Sequence, residues 1–349
     1  MVRKTDSAFL GSNRVASFDL LKLFAIYLVI WGHCLMWFQN GESSANPVFR
    51  IIYSCHMPLF MMISGFFSYS SMSLKFNSFI QKKFRNLIYP CLLWGLFIFI
   101  IYESNDLINH NNEPLSLRIL LTDYYWLSDF WFLKSCFICY VIAYCGFHSK
   151  LSKKYWMPLS IIISQGIATS FVSFMYPCFL IGLLLRLNNS IFAKITTNYI
   201  VLLSFYVLML IFWDYNAWEN SHGIPSNLFE GDYKVWTNIL LFRIYRHIIG
   251  IIGSLSFIAL FHNIFNHTTN NQFTNNLSVY GKYTLEIYII QSIVIERLLC
   301  RFIKLDYLNP IIFNIFATPA LSIAILSLCI ILSRITHKQK HLSLLLWGK

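Results

Sequence analysis

The chain has 349 residues, of which 57% are hydrophobic, 18% aromatic and only 12% charged. A soluble domain carries about twice that charged fraction, so a water-soluble enzyme, a disordered chain and a disulfide-stapled secreted chain are excluded in favour of an all-α polytopic membrane protein. The formal net charge of +12 falls in no basic stripe interleaved with aromatics outside the apolar runs, which argues against a nucleic-acid partner and for charge that orients the chain in a bilayer.

Ten apolar runs are candidates for the roughly 17 to 25 residues that a bilayer demands of a helix. They lie near 18-39, 51-70, 87-103, 131-148, 157-174, 177-190, 199-214, 239-263, 279-300 and 311-333, the sixth being short. No small-residue cleavage pattern follows the first run, so no cleavable leader is expected. With the N-terminus inside, the inner segments hold seventeen Lys and Arg against the single acid Asp6, and the outer segments hold five against eleven acids. That asymmetry predicts ten spans in one membrane domain with both termini cytoplasmic. The nine cysteines are scattered through apolar stretches, and the close pair Cys136 and Cys139 has no ligating residues near it in sequence, so no metal is expected.

Ionisable side chains within a span cost about 2.5 to 3.5 kcal/mol at mid-helix, so each needs a reason. Span one carries Asp19, Lys22 and His33. Lys22 and His33 are eleven residues apart, which returns the helix to nearly the same face about 16.5 Å along its axis. Asp19 is placed to pair with Lys22. Snorkelling of Lys22 to headgroups and packing of a lone histidine are the competing readings. Span two places His56 at a depth similar to that of His33, beside Pro58, whose missing N–H frees backbone groups. Lys83 and Arg85 stand at the inner start of span three, where topology alone also accounts for them. Trp131 and Lys134 open span four. Arg243, Arg246 and His247 lie in the outer half of span eight, with the arginines spaced to share a face and bind an anionic or hydroxyl-rich ligand, or to pair with Glu219 or Glu230. In span nine Glu286, Tyr288 and Gln291 fall within two turns, Glu286 near enough to Lys282 to pair with it. There is no phosphate-binding loop, dinucleotide fingerprint, nucleophile elbow or zinc-protease motif.

In order along the chain, these residues resemble the acyltransferase 3 family of membrane acyltransferases. The resemblance is carried by Arg14 to His33, by His56-Met57-Pro58-Leu59-Phe60 with Ile63-Ser64-Gly65-Phe66, and by Arg85 to Pro90 with Trp94. It continues through Phe130 to Leu133, Phe179 to Gly182, Gly281 to Tyr288 and Leu346-Trp347-Gly348. Lys22 replaces the arginine and Gln291 the histidine of many members.

The resemblance implies transfer of an acyl group, usually acetyl from acetyl-CoA, to a hydroxyl of a sugar, polysaccharide, lipid or small molecule, in a bacterial inner membrane. Acyl-CoA is then a donor substrate, with no resident cofactor, and the acceptor is a surface saccharide such as an O-antigen. Lys22, Lys83 and Arg85 are the donor-binding candidates. His33 is the candidate general base, with Asp19 and Lys22 supporting it and His56 stabilising an oxyanion. Trp131, Arg243, Arg246 and Tyr288 are the acceptor-binding candidates. A transporter or flippase of a lipid-linked glycan or small anion is the alternative that the same intramembrane cations allow, although no paired halves are visible.

Overall fold

The first apolar run forms α1 (Ala16–Trp37), whose buried residues include Leu21, Ala25, Ile26, Val29 and Ile30. The computed structural model describes residues 16–39, 43–108, 130–167, 171–213, 233–267, 272–305 and 307–349, and among them there is no strand. Asn46 opens α2 (Pro47–Met72) by accepting bonds from the backbone N–H groups of Val48 and Phe49, with Pro47 in the first turn where its missing N–H costs nothing. Then come α3 (Phe76–Lys83), α4 (Tyr89–Ile108), α5 (Trp131–His148), α6 (Lys153–Gln165), α7 (Val172–Leu187), α8 (Asn189–Thr197) and α9 (Tyr199–Ile211). The remainder is α10 (Tyr233–His267), α11 (Gln272–Ser278), α12 (Thr284–Ser292), α13 (Thr318–Lys338) and α14 (Lys340–Trp347).

Among the described residues six helices are long and apolar enough to cross a membrane: Ala16–Trp37, Pro47–Met72, Phe76–Ile100, Trp131–His148, Leu240–Phe265 and Ile312–Lys338. The pair α7 and α8, bent by 104°, adds a seventh if it is one span. The protein is therefore a multi-pass membrane protein.

Four expected spans differ in form, the run at 199-214 being the 13-residue α9. The run at 157-174 becomes the 13-residue α6, which ends at Gly166. The run at 177-190 breaks at Asn188, whose backbone leaves the helical region at φ −131°. The run at 279-300 is wound successively as 3₁₀ (Val279–Tyr283), α (Thr284–Ser292), π (Ile293–Leu298) and 3₁₀ (Leu299–Arg301). Hydropathy reads composition and is blind to winding. Proline explains two further π segments: Phe84–Ile88 runs just ahead of Pro90 and Ile312–Ala317 just ahead of Pro319, neither of which donates an N–H to the preceding turn.

α1 sits at the centre, packed on α2, α10, α12 and α13. Trp31 Nε1 donates to Thr318 Oγ1 at 3.0 Å, tying α1 to α13. The most extensive helix pairing joins α2 to α7. A Cβ on Gly65 would collide with the carbonyl oxygen of Phe179, and one on Gly182 with that of Met62. Small residues thus bring the two backbones into direct contact, the usual route to tight packing where lipid removes the hydrophobic drive.

Candidate active site

α1, α2, α5, α7, α10 and the 279-301 segment enclose a cavity of about 230 Å³. Its lining includes His33 and Trp37 from α1, His56 and Met57 from α2, Trp131 from α5 and Arg246 from α10, with Tyr288, Gln291 and Glu296 opposite. Five residues singled out from sequence, His33, His56, Trp131, Arg246 and Tyr288, are thereby brought together.

The residue that sequence reading missed is Glu296. Its Oε1 lies 2.8 Å from His33 Nδ1, a contact that is an ion pair only when the ring is protonated. A carboxylate accepts only, so it favours the tautomer protonated at Nδ1 and leaves Nε2 as the basic nitrogen of a ring lining the cavity. Glu296 belongs to the π segment Ile293–Leu298, and such local widening of a helix recurs at functional sites.

His56 is only 3% exposed, and its Nδ1 donates to the Ile52 carbonyl at 2.7 Å. With Nδ1 so occupied, a neutral ring presents an acceptor at Nε2, and donation to an oxyanion from that atom requires the protonated ring. Arg246, 2% exposed and with its guanidinium 4.4 Å above the Phe174 ring, is a donor in the same cavity. Arg243 lies instead in an adjoining groove of about 120 Å³ with Gln165, Ser173 and His247.

Two aromatic residues shape one side of the cavity at some cost. Phe130 and Phe171 precede α5 and α7 with φ of 58° and 56°, a left-handed conformation that is a true outlier for bulky side chains. Trp131 packs on Phe171 at a centroid distance of 4.6 Å. Among the described residues, the donor Trp37 Nε1 and the acceptor Gln291 Oε1 are buried atoms of lining side chains without a hydrogen-bond partner.

Lys22 lines a second cavity, of about 150 Å³, with Ser64 and Thr284. As the spacing predicts, Asp19 holds it, Oδ1 to Nζ at 3.1 Å, and the amine also stands 4.7 Å from the Phe67 ring centre. The other two expected donor cations are not brought there. Lys83 is buried with its amine 3.4 Å over the Tyr140 ring, and Arg85 is exposed. Glu286 pairs with His337 and Lys349, not with Lys282.

A helical, multi-pass membrane protein with a histidine–carboxylate pair in an internal cavity is the class so defined. The chain belongs to the acyltransferase family, whose domain matches residues 15–334. It is similar to nodulation protein NolL of Mesorhizobium japonicum, 28% identical over 211 residues that make up 55% of this chain and 54% of that protein. It is also similar to nodulation protein NolL of Sinorhizobium fredii, 34% identical over 88 residues, 24% of each chain. The matched region thus spans about half the length of the first of these relatives and about a quarter of the second. No solved structure matches.

Proposed function

We propose that the protein is a membrane O-acyltransferase that moves an acyl group, acetyl from acetyl-CoA, onto a hydroxyl of a cell-surface saccharide such as an O-antigen, capsule or exopolysaccharide. The observation that carries this reading is the division of labour along α1, with Lys22 at a cavity near the inner end and His33, paired with Glu296, at a cavity toward the outer end. Counting three shorter or irregular helical segments with the six long spans and the bent pair supports the reading of ten crossings. Together with the distribution of Lys and Arg, they support a single acyltransferase domain with cytoplasmic termini in a bacterial inner membrane.

In this mechanism acyl-CoA arrives from the cytoplasm, its anionic end near Lys22, and its thioester reaches His33. Nε2 of His33 removes the proton from the acceptor hydroxyl as the oxygen attacks the thioester carbonyl. Arg246 donates to the oxygen that gains negative charge. Collapse of the tetrahedral intermediate breaks the C–S bond, and the proton held by His33 passes to the departing sulfur, leaving an ester and free CoA thiol. Glu296 keeps Nδ1 protonated and stabilises the transient imidazolium. The acceptor's hydroxyls both donate and accept, matching Gln291 Oε1 and Trp37 Nε1, while Trp131 and Tyr288 offer faces for sugar rings to stack on.

The test is incubation of membranes bearing the protein with radiolabelled acetyl-CoA and cell-envelope glycans. Label in alkali-labile ester, together with release of CoA thiol, supports the reading. Movement of a glycan without covalent change would replace it with the transporter.

A further inference from the structure

The two cavities share two lining residues, Met57 and Tyr288. Four helical segments divide at the same level. α1 gives Lys22 and Ile26 to the inner cavity and Val29 and His33 to the outer one. α2, running the opposite way, gives Tyr53 and His56 to the outer cavity and Phe60 and Ile63 to the inner. The segment around Tyr288 gives Thr284 and Leu285 to the inner side and Gln291 and Ser292 to the outer, and the start of α5 splits between Trp131 and Phe132. A single partition therefore crosses the site between Lys22 and His33. Tyr288 is held there edge-on by Phe132 at a centroid distance of 5.9 Å and by Phe130 at 6.2 Å, and Phe132 in turn meets Phe60 at 5.9 Å. The same level carries Met57, which lines both cavities and whose unbranched side chain is adaptable.

We propose that Met57 and Tyr288, backed by Phe132, form an acyl-selective gate: the inner cavity is the acyl-thioester chamber, and only a short, unbranched acyl group passes the gate to reach His33. The proposal rests on the acyltransferase reading and deepens it by naming what sets the donor class. Apart from Lys22, Ser64, Thr284 and Cys136, the walls of the inner chamber are apolar, which suits the acyl end of the donor and leaves the charged nucleotide on the far side of Lys22. For the attack to occur, the carbonyl carbon has to clear the gate while the sulfur follows it. Each methylene beyond acetyl then has to fit past the methionine or crowd the acceptor in the outer cavity. A hydrophobic slot discriminates by roughly 1 to 3 kcal/mol, or about 10- to 200-fold, per methylene, so the cut-off with chain length is steep.

The experiment compares acetyl-, butyryl- and hexanoyl-CoA as donors for the unaltered protein, for Met57→Ala and Phe132→Leu, and for the volume-conserving Met57→Leu, with each protein quantified in the membrane. The unaltered protein is expected to lose rate sharply from acetyl to hexanoyl. Met57→Ala and Phe132→Leu are expected to raise the hexanoyl-to-acetyl ratio at least about tenfold, and Met57→Leu to leave it near the unaltered value. Equal use of all three donors by the unaltered protein overturns the gate, and that series decides the matter even if a variant fails to accumulate. An unchanged ratio in both enlarged variants, present at normal abundance, also overturns it while leaving the acyltransferase reading intact. Absence of transfer from every donor would instead bring down the underlying reading.

Discussion

Two glutamates ten positions apart on the same stretch of chain each hold a histidine, and the molecule treats the pairs differently. Glu286 is fully buried, and its Oε1 accepts from His337 Nε2 at 2.9 Å and from Lys349 Nζ at 2.8 Å. The other nitrogen of His337 is also occupied, with Ser343 Oγ 3.0 Å from Nδ1. Around this knot Trp347 stacks on Trp94 at 5.4 Å and donates to Thr336, while Trp94 donates to the Leu346 carbonyl, so α14 is bound to α4 and α13. Glu296 holds His33 at a nearly equal distance, 2.8 Å, but both side chains line the main cavity. Distance alone does not separate the two pairs. Their surroundings do, because in one the second nitrogen is committed to the fold and in the other the ring lines a cavity.

The comparison breaks most sharply at the histidines. His33→Ala should lower transfer by about 10²- to 10⁴-fold with membrane abundance unchanged, measured as labelled ester per unit of protein; normal turnover would end the mechanism. Glu296→Gln preserves size and removes the anion, and should cost roughly 10- to 100-fold in turnover, as loss of an orienting outer partner commonly does. Its thermal midpoint in detergent should stay close to normal. Glu286→Gln should show the reverse pattern. Buried donors left badly matched cost about 1 to 3 kcal/mol, so the melting temperature should fall while each surviving molecule turns over within about twofold of normal. The smallest effect is expected for Lys349→Ala, since that side chain is 35% exposed and partly solvated ion pairs contribute about 1 kcal/mol or less. A large loss of turnover in either the Glu286 or the Lys349 variant would erase the distinction.

What sequence could reveal of the site follows from cost. His33, His56 and Arg246 stood out because polar groups in apolar runs need compensation, and the Asp19–Lys22 pair followed from helical spacing. Glu296 stayed hidden because it lies near the outer end of its run beside Arg297, where a charged pair reads as facing headgroups. An acid within a hydrophobic run at the depth of His33 was the available signal. Lys83 and Arg85 were not separable for a related reason: near the expected inner boundary, a cation above a tyrosine ring and an exposed one look alike in sequence. The helical, membrane-spanning character was legible throughout. The bend at Asn188 and the changes of winding after Val279 were not, because they depend on how individual turns satisfy their backbone, a property that composition does not encode.

The left-handed phenylalanines at 130 and 171 carry a consequence for how such a chain evolves. Glycine at either position would relieve the backbone by roughly 1 to 2 kcal/mol, but Phe130 is 3% exposed, and emptying its place in the core costs about 3 to 5 kcal/mol. It would also strip an aromatic wall from the cavity. The buried ring therefore outweighs the backbone strain it imposes, and a library screened for heat tolerance should retain phenylalanine at 130 rather than recover glycine there.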